Sequence, residues 1–233
     1  MKKVLLFDFG GTLDTNGVHW GEKYWEAYKK LGLSISKKQY EEAYVYSESY
    51  MAGVVKPTDT FKTTLIYQIL FQLLYLRNKK YLLPEEDSDL LYKMSDLCYG
   101  DVLLATEKSS QLIKKLNSSF VLGLVSNFYG NLSTVLNELS FTNYFETVID
   151  SSEVGIRKPD PKIFQIAVDR LGVLPEEVIV IGDSYSRDIV PSKTIGCSTI
   201  WLDGKSWTRP SETSKADFVI HSIEEVSDTV LET

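Results

Sequence analysis

The sequence predicts an α/β protein: a doubly wound, Rossmann-like parallel sheet with a helical bundle inserted after its first strand. Three observations lead there. Short, continuous apolar runs ending in small or polar residues occur at Val4–Phe7 and again from Phe120 onward. Unbroken rather than alternating hydrophobicity marks strands buried on both faces. Amphipathic helical patterns alternate with the later runs, as parallel β-α-β connections require. In contrast, residues 16–99 carry helical spacing and no strand pattern.

In chain order, Val4-Leu5-Leu6-Phe7 stops at Asp8 and is followed by Gly10-Gly11, which suits a central strand entering a tight turn. Four apolar residues are too few for the apolar segment of a secretory signal. Trp20, Tyr24, Tyr28 and Leu31 then fall on one helical face, with Gly32 as a stop. Ser36 is a candidate cap for a second helix through Met51. Pro57–Leu76 reads as a third helix, apolar on most sides, and Pro84–Tyr99 as a fourth. These four form the expected inserted bundle. They divide the chain into an α/β core, residues 1–15 and 100–233, and a helical cap, residues 16–99. Cap movement hinged near Asp14–Gly17 and Tyr99–Asp101 is expected from that topology.

Beyond the bundle, strands are predicted at Phe120–Val125, Thr147–Ile149, Val178–Ile181, Ser198–Leu202 and Phe218–Ile220. Helices are predicted at Lys108–Leu116, Leu132–Leu139 and Pro161–Leu171. The last has Asp160 as N-cap, Pro161 at the first helical position and Gly172 just past its end. Ligands of such sheets sit at the carboxyl ends of the strands, and the polar residues that end these runs fall there.

Composition narrows the partners. The formal net charge of −7 is unsuited to a phosphate backbone, so nucleic acid is not expected. The apolar stretch Leu65–Leu76 contains Gln68 and Gln72 and is too short to span a bilayer, so no membrane partner is expected either. Cys98 and Cys197 are far apart and in no metal spacing, which suits buried, reduced thiols in a cytoplasmic protein; a monomer or homodimer is expected.

Four segments carry chemistry when taken together. Asp8-Phe9-Gly10-Gly11-Thr12 places a carboxylate at a strand end beside a turn whose N–H groups can face an anion. Val125-Ser126-Asn127 brings a hydroxyl and an amide to another strand end, and Arg157-Lys158-Pro159 a lysine before a helix. Gly182-Asp183-Ser184-Tyr185-Ser186-Arg187-Asp188 supplies two further acids after a strand. Singly, each reads as a turn former, a cap or a solvated lysine. Jointly they make a hard-cation site, suited to Mg²⁺, beside an anion site.

In order and spacing these segments resemble the haloacid dehalogenase-like (HAD) superfamily, in the branch with a helical cap after the first strand, and the resemblance covers the whole chain. It implies a Mg²⁺-dependent hydrolase acting on a small phosphorylated metabolite. Asp8 would be the nucleophile that becomes an aspartyl-phosphate. Mg²⁺ would be held by Asp8, the Gly10 carbonyl, Asp183 and Asp188. The phosphate would be held by Ser126, Lys158 and the N–H groups of Gly11, Thr12 and Asn127. Pro191 replaces a glycine usual in that branch, which early in a helix has little consequence.

One departure matters. Phosphatases of this family carry an acid/base aspartate where this chain has Gly10, and general acid–base catalysis contributes ~10²–10⁴-fold. Candidate substitutes are His19, Asp14 or a cap residue, although His19 also reads as a surface residue beside Trp20. Without a substitute, turnover is slow, or the protein binds a phosphorylated ligand without turning it over. A third reading is a phosphonate hydrolase with Lys56 as its Schiff-base lysine. Dehalogenation is disfavoured because both Asp183 and Asp188 are present.

Overall fold

The computed structural model describes residues 4–82, 89–207 and 215–231. Six parallel strands form one sheet: β1 (Val4–Phe7), β2 (Val121–Ser126), β3 (Thr147–Asp150), β4 (Val178–Gly182), β5 (Ser198–Leu202) and β6 (Phe218–Ile220). Their order is β3-β2-β1-β4-β5-β6, with every neighbouring pair parallel. The chain therefore steps outward from β1 to β3, returns to the other side of β1 at β4, and steps outward again. The reversal falls between β1 and β4, where doubly wound sheets open a ligand crevice.

Alternate residues of β1 feed opposite cores. Val4 and Leu6 join Val125, Val178 and Val180 beneath Ile163, Phe164 and Val168 of a covering helix. Leu5 and Phe7 join Leu122, Leu124, Ile179 and Ile181 on the other face. That second core continues without a break into Tyr24, Tyr28, Tyr40, Ile69 and Met94 of the helices that follow β1. Burial on both faces is the physical reason the strands are apolar throughout.

Among the described residues, four α-helices separate β1 from β2: α1 (Trp20–Lys30), α2 (Lys37–Met51), α3 (Phe61–Asn78) and α4 (Leu90–Asn117). The Ser36 side chain accepts from Gln39 N–H at the start of α2, as its sequence suggested. Helix α3 begins at Phe61 rather than Pro57, because the Thr60 side chain accepts from Thr63 N–H and caps it there. The expected start of the fourth helix at Pro84 lies outside the described residues. From Leu90 that helix runs unbroken to Asn117, where the sequence had suggested two helices, ending at Tyr99 and beginning at Lys108. The boundary between residues 99 and 100 thus falls inside α4, and the chain has no break at the expected hinge near Asp101. The other expected hinge is tied down, with Gly17 N–H donating to Gly11 O at 2.7 Å and Lys205 N–H to Gly17 O at 2.8 Å.

The remaining helices are α5 (Leu132–Glu138), the single turns α6 (Ser151–Val154), α8 (Val190–Thr194) and α9 (Val226–Thr229), and α7 (Lys162–Leu171). Asp160 Oδ1 accepts from Lys162 N–H at 3.0 Å and Gly172 closes α7 with φ 63°. Pro191 sits in the first turn of α8, where its missing N–H costs nothing. Among the described residues, no helix is long and apolar enough to cross a membrane.

Candidate active site

Asp8 follows β1 and extends its pairing with β4, donating its N–H to Ile181 O at 2.9 Å. This fixes the carboxylate over the crevice. Its Oδ1 lies 2.5 Å from Lys158 Nζ, and its Oδ2 accepts from Thr12 Oγ1 at 2.9 Å. Lys158 is placed by Asn127 at the end of β2. The Asn127 Nδ2 donates to Lys158 O at 2.9 Å, and Lys158 N–H donates to Asn127 Oδ1 at 2.8 Å. The Lys158 ammonium spends its other protons on Asp188 Oδ1 at 2.6 Å and Val125 O at 3.1 Å, so all three donors are used.

Asp183 and Asp188 both follow β4. Asp188 Oδ2 accepts from Ser184 N–H at 3.0 Å, and its carboxyl packs so closely on Gly182 that a Cβ there would lie 2.5 Å from Asp188 Cγ. Asp183 is anchored through its backbone, by Trp201 Nε1 donating to its carbonyl at 2.9 Å and by its N–H donating to Thr12 Oγ1 at 3.1 Å. Gly11 permits the approach of this carboxyl, since its φ is +98° and a Cβ would fall 2.6 Å from Asp183.

Asp8, Asp183 and Asp188 are buried, and each offers a carboxylate oxygen within 4.8 Å of the others. Lys158 offsets one charge of the three. Burial, then the charges of Asp8 and Asp188, push the Asp183 carboxyl well above the usual carboxylate range. Burial likewise raises Asp188 to about 6, against the pull of Lys158. The closest side-chain partner of the Asp183 carboxylate is the Thr12 hydroxyl, at 3.4 Å. An excess of buried negative charge on hard oxygen donors is what a divalent cation such as Mg²⁺ neutralises, so the residues fit that ion.

The cavity above these acids is lined by Asp8, Gly10, Ser126, Asn127, Lys158, Asp183 and Asp188 at its base, and by residues of α1, α2 and α3 opposite. Gly10 has an ordinary φ of −75°, and a Cβ there would meet only the Trp20 edge, at 3.8 Å. Three sequence expectations change. Gly11 N–H is not available to an anion, because it donates to Asp14 Oδ1 at 2.7 Å. Thr12 is fully buried behind the cavity wall, where its hydroxyl ties Asp8 to the Asp183 strand end. Lys56 is exposed and does not line the cavity, so it is not placed to act as a Schiff-base lysine there.

The candidate acid/base residues also resolve. Asp14 is fully buried, and burial pushes it up to about 7. Both its oxygens are engaged, by Gly11 N–H and by Trp20 Nε1 at 2.8 Å, and it does not line the cavity. His19 does line it, but its Nδ1 accepts from Gly21 N–H at 3.0 Å at the start of α1. Burial, then the Arg187 charge, lower His19 to about 4, so near neutral pH its ring is uncharged with the proton on Nε2.

Sequence reading missed Glu48, Arg157 and Arg187, which also line the cavity. The arginines had a signal, each standing one residue before a motif residue, Lys158 and Asp188. Glu48 had none beyond its spacing of four from Tyr44, which puts both on one face of α2.

Known proteins resemble this chain in sequence and in fold. The Rhythmically expressed gene 2 protein of Drosophila melanogaster is 35% identical over 121 residues, 50% of this chain and 46% of that protein. A phosphoglycolate phosphatase of Salmonella typhimurium is 30% identical over 149 residues, 61% of this chain and 59% of that one. The chain thus spans about half the length of the curated relatives it matches. A crystal structure of a dehalogenase superposes with a TM-score of 0.65 at 17% identity, over 97% of this chain and 96% of that one, a likeness of fold. The family model for haloacid dehalogenase-like hydrolases matches residues 2–196, well over half of the chain, and the chain belongs to that family.

Proposed function

We propose that this protein is a Mg²⁺-dependent phosphatase of a small phosphorylated metabolite, using Asp8 as nucleophile. One observation carries the reading: Asp8, Asp183 and Asp188 converge around Lys158 at the base of a cavity, with more negative charge than the lysine offsets. The phosphoglycolate phosphatase among the relatives supports the phosphoryl chemistry. Helices α1, α2 and α3 would act as the cap that covers the substrate.

Asp8, Asp183, Asp188 and the Gly10 carbonyl would hold the ion, which when bound supplies the positive charge that screens nucleophile from phosphate. Lys158 adds a fixed ammonium beside Asp8. Ser126 and the Asn127 backbone offer donors to the phosphoryl oxygens from the end of β2. An Asp8 carboxylate oxygen attacks phosphorus, the ester P–O bond breaks, and water later releases phosphate and restores Asp8. Most of the rate in such transfers comes from positioning and electrostatics rather than covalent chemistry by the protein.

The competing reading, a phosphate-ligand binding protein without turnover, rests on Gly10. Steady-state hydrolysis of p-nitrophenyl phosphate separates the two. Wild type with Mg²⁺ should release nitrophenol, and EDTA or Asp8→Asn should reduce release to the buffer rate. Equal background rates for wild type and Asp8→Asn would leave binding as the function.

A further inference from the structure

We propose that Glu48, on α2, is the acid/base residue whose usual place Gly10 leaves vacant, with its Oε2 as the atom that exchanges protons with the reacting groups. The proposal rests on the phosphatase reading above and deepens it.

The cavity itself narrows the choice. Apart from the acids and lysine at its base, the titratable residues that line it among the described residues are His19, Glu48, two arginines and three tyrosines. Arginine does not release a proton in proteins. Burial raises Tyr24, Tyr44 and Tyr129 well above the ordinary phenol, which makes them weak acids. His19 is uncharged, its Nδ1 is committed to Gly21, and it holds no proton that it readily gives up. Asp14 lies outside the cavity. Glu48 is the carboxyl that remains.

Its geometry suits the task. Glu48 Oε1 accepts from Tyr129 Oη at 3.0 Å and from Gln68 Nε2, so the loop after β2 and helix α3 both fix its orientation. Oε2 takes no hydrogen bond among the described residues, and Glu48 lines the cavity. Tyr24 of α1, Tyr44 of α2, Arg157 before α7 and Arg187 after β4 complete its surroundings. Burial raises the Glu48 carboxyl above its ordinary range, while the Tyr129 and Gln68 bonds and the two arginine charges restrain the rise. A carboxyl raised in this way holds a proton nearer neutrality and gives it up readily, as a general acid must.

The proton steps balance. As Asp8 bonds to phosphorus, the P–O ester bond breaks and its electron pair goes to the leaving oxygen, which takes the proton from Glu48 Oε2 and departs as an alcohol. Glu48 is left as a carboxylate. A water then attacks phosphorus, gives its proton to Glu48, and the bond from Asp8 to phosphorus breaks to release inorganic phosphate.

Glu48→Gln tests this, because the glutamine carbonyl keeps the acceptor for Tyr129 and Gln68 but cannot exchange a proton. Phenyl phosphate and p-nitrophenyl phosphate share a shape, but phenolate is the poorer leaving group and needs the acid more. The variant should lose about 10²-fold or more in kcat/KM on phenyl phosphate and far less on p-nitrophenyl phosphate. With the latter it should show a burst of nitrophenol followed by slow turnover. Adding Gly10→Asp to Glu48→Gln should recover at least tenfold on phenyl phosphate, since a side chain at residue 10 meets only the Trp20 edge. An equal fall on both esters, or no fall on either, overturns the assignment while leaving the phosphatase reading intact. A wild type inert toward both esters overturns the two together.

Discussion

The Lys158 ammonium stands between Asp8 and Asp188, 2.5 and 2.6 Å from their oxygens, with 5% of its residue surface exposed. Burial opposes its charge, but the two carboxylates outweigh burial and hold its pKa above the ordinary lysine value. Removing one member of such a cluster strands the others, so Lys158→Gln should cost the metal-free protein about 3–5 kcal/mol in urea unfolding. Added Mg²⁺ should then stabilise the variant more than wild type, because the ion meets a larger uncompensated charge. Equal Mg²⁺ shifts would show that the ion does not bind among these acids. His19 gives a second test at this scale. Its folded pKa is lowered to about 4 from an ordinary 6.5, so the unfolded chain takes up the proton first as pH falls. The stability linked to the neutral ring is full above pH 6.5 and drains as pH falls toward 4, by up to about 3 kcal/mol. His19→Asn keeps a neutral acceptor for Gly21 N–H and should lose less unfolding free energy between those pH values. Identical losses in the two proteins would contradict the assignment.

At the scale of elements, the turn after β1 depends on one backbone conformation. Gly11→Ala would place a methyl 2.6 Å from the Asp183 carboxyl at φ +98°. A stability loss of ~2 kcal/mol or more is expected, with weaker Mg²⁺ binding by calorimetry because Asp183 must move. Unchanged Mg²⁺ affinity would mean that Asp183 is not a ligand. Which elements the sequence disclosed follows from how they are buried. The strands are apolar on both faces, so Val4–Phe7 and Ser198–Leu202 could be placed to the residue, and strand ends then located Asp8 and Asp183. Helix α4 was divided because its buried stripe passes through Thr106 and Ser109, whose polarity hides the period. Their hydroxyls are satisfied by Val102 O at 2.9 Å and Leu13 O at 2.7 Å, which no spacing rule reveals. Gly11 was read as an anion donor because the Asp14 side chain that claims its N–H lies within the same short turn. Glu48 was invisible because its place opposite Asp8 depends on how α2 packs on α3, a tertiary fact.

Over the whole molecule, the formal net charge of −7 and the three buried acids set a field that opposes an anionic substrate. Arg157 and Arg187 line the cavity, and neither pairs with an acid among the described residues, so their charge is available to an incoming anion. A short-range positive patch inside a long-range negative field has a distinctive salt response. Salt screens the distant repulsion most and the local attraction least, because the local pair acts within a Debye length, ~10 Å at 0.1 M. For wild type, kcat/KM toward p-nitrophenyl phosphate should therefore rise modestly as salt rises. In the double variant Arg157→Gln and Arg187→Gln, KM should rise about tenfold with kcat changed far less, as expected when binding shared by ground and transition states is lost. With the patch gone, only the net repulsion remains, and added salt should raise kcat/KM more steeply than in wild type. A double variant with the wild-type slope of salt dependence would show that capture is governed elsewhere on the surface.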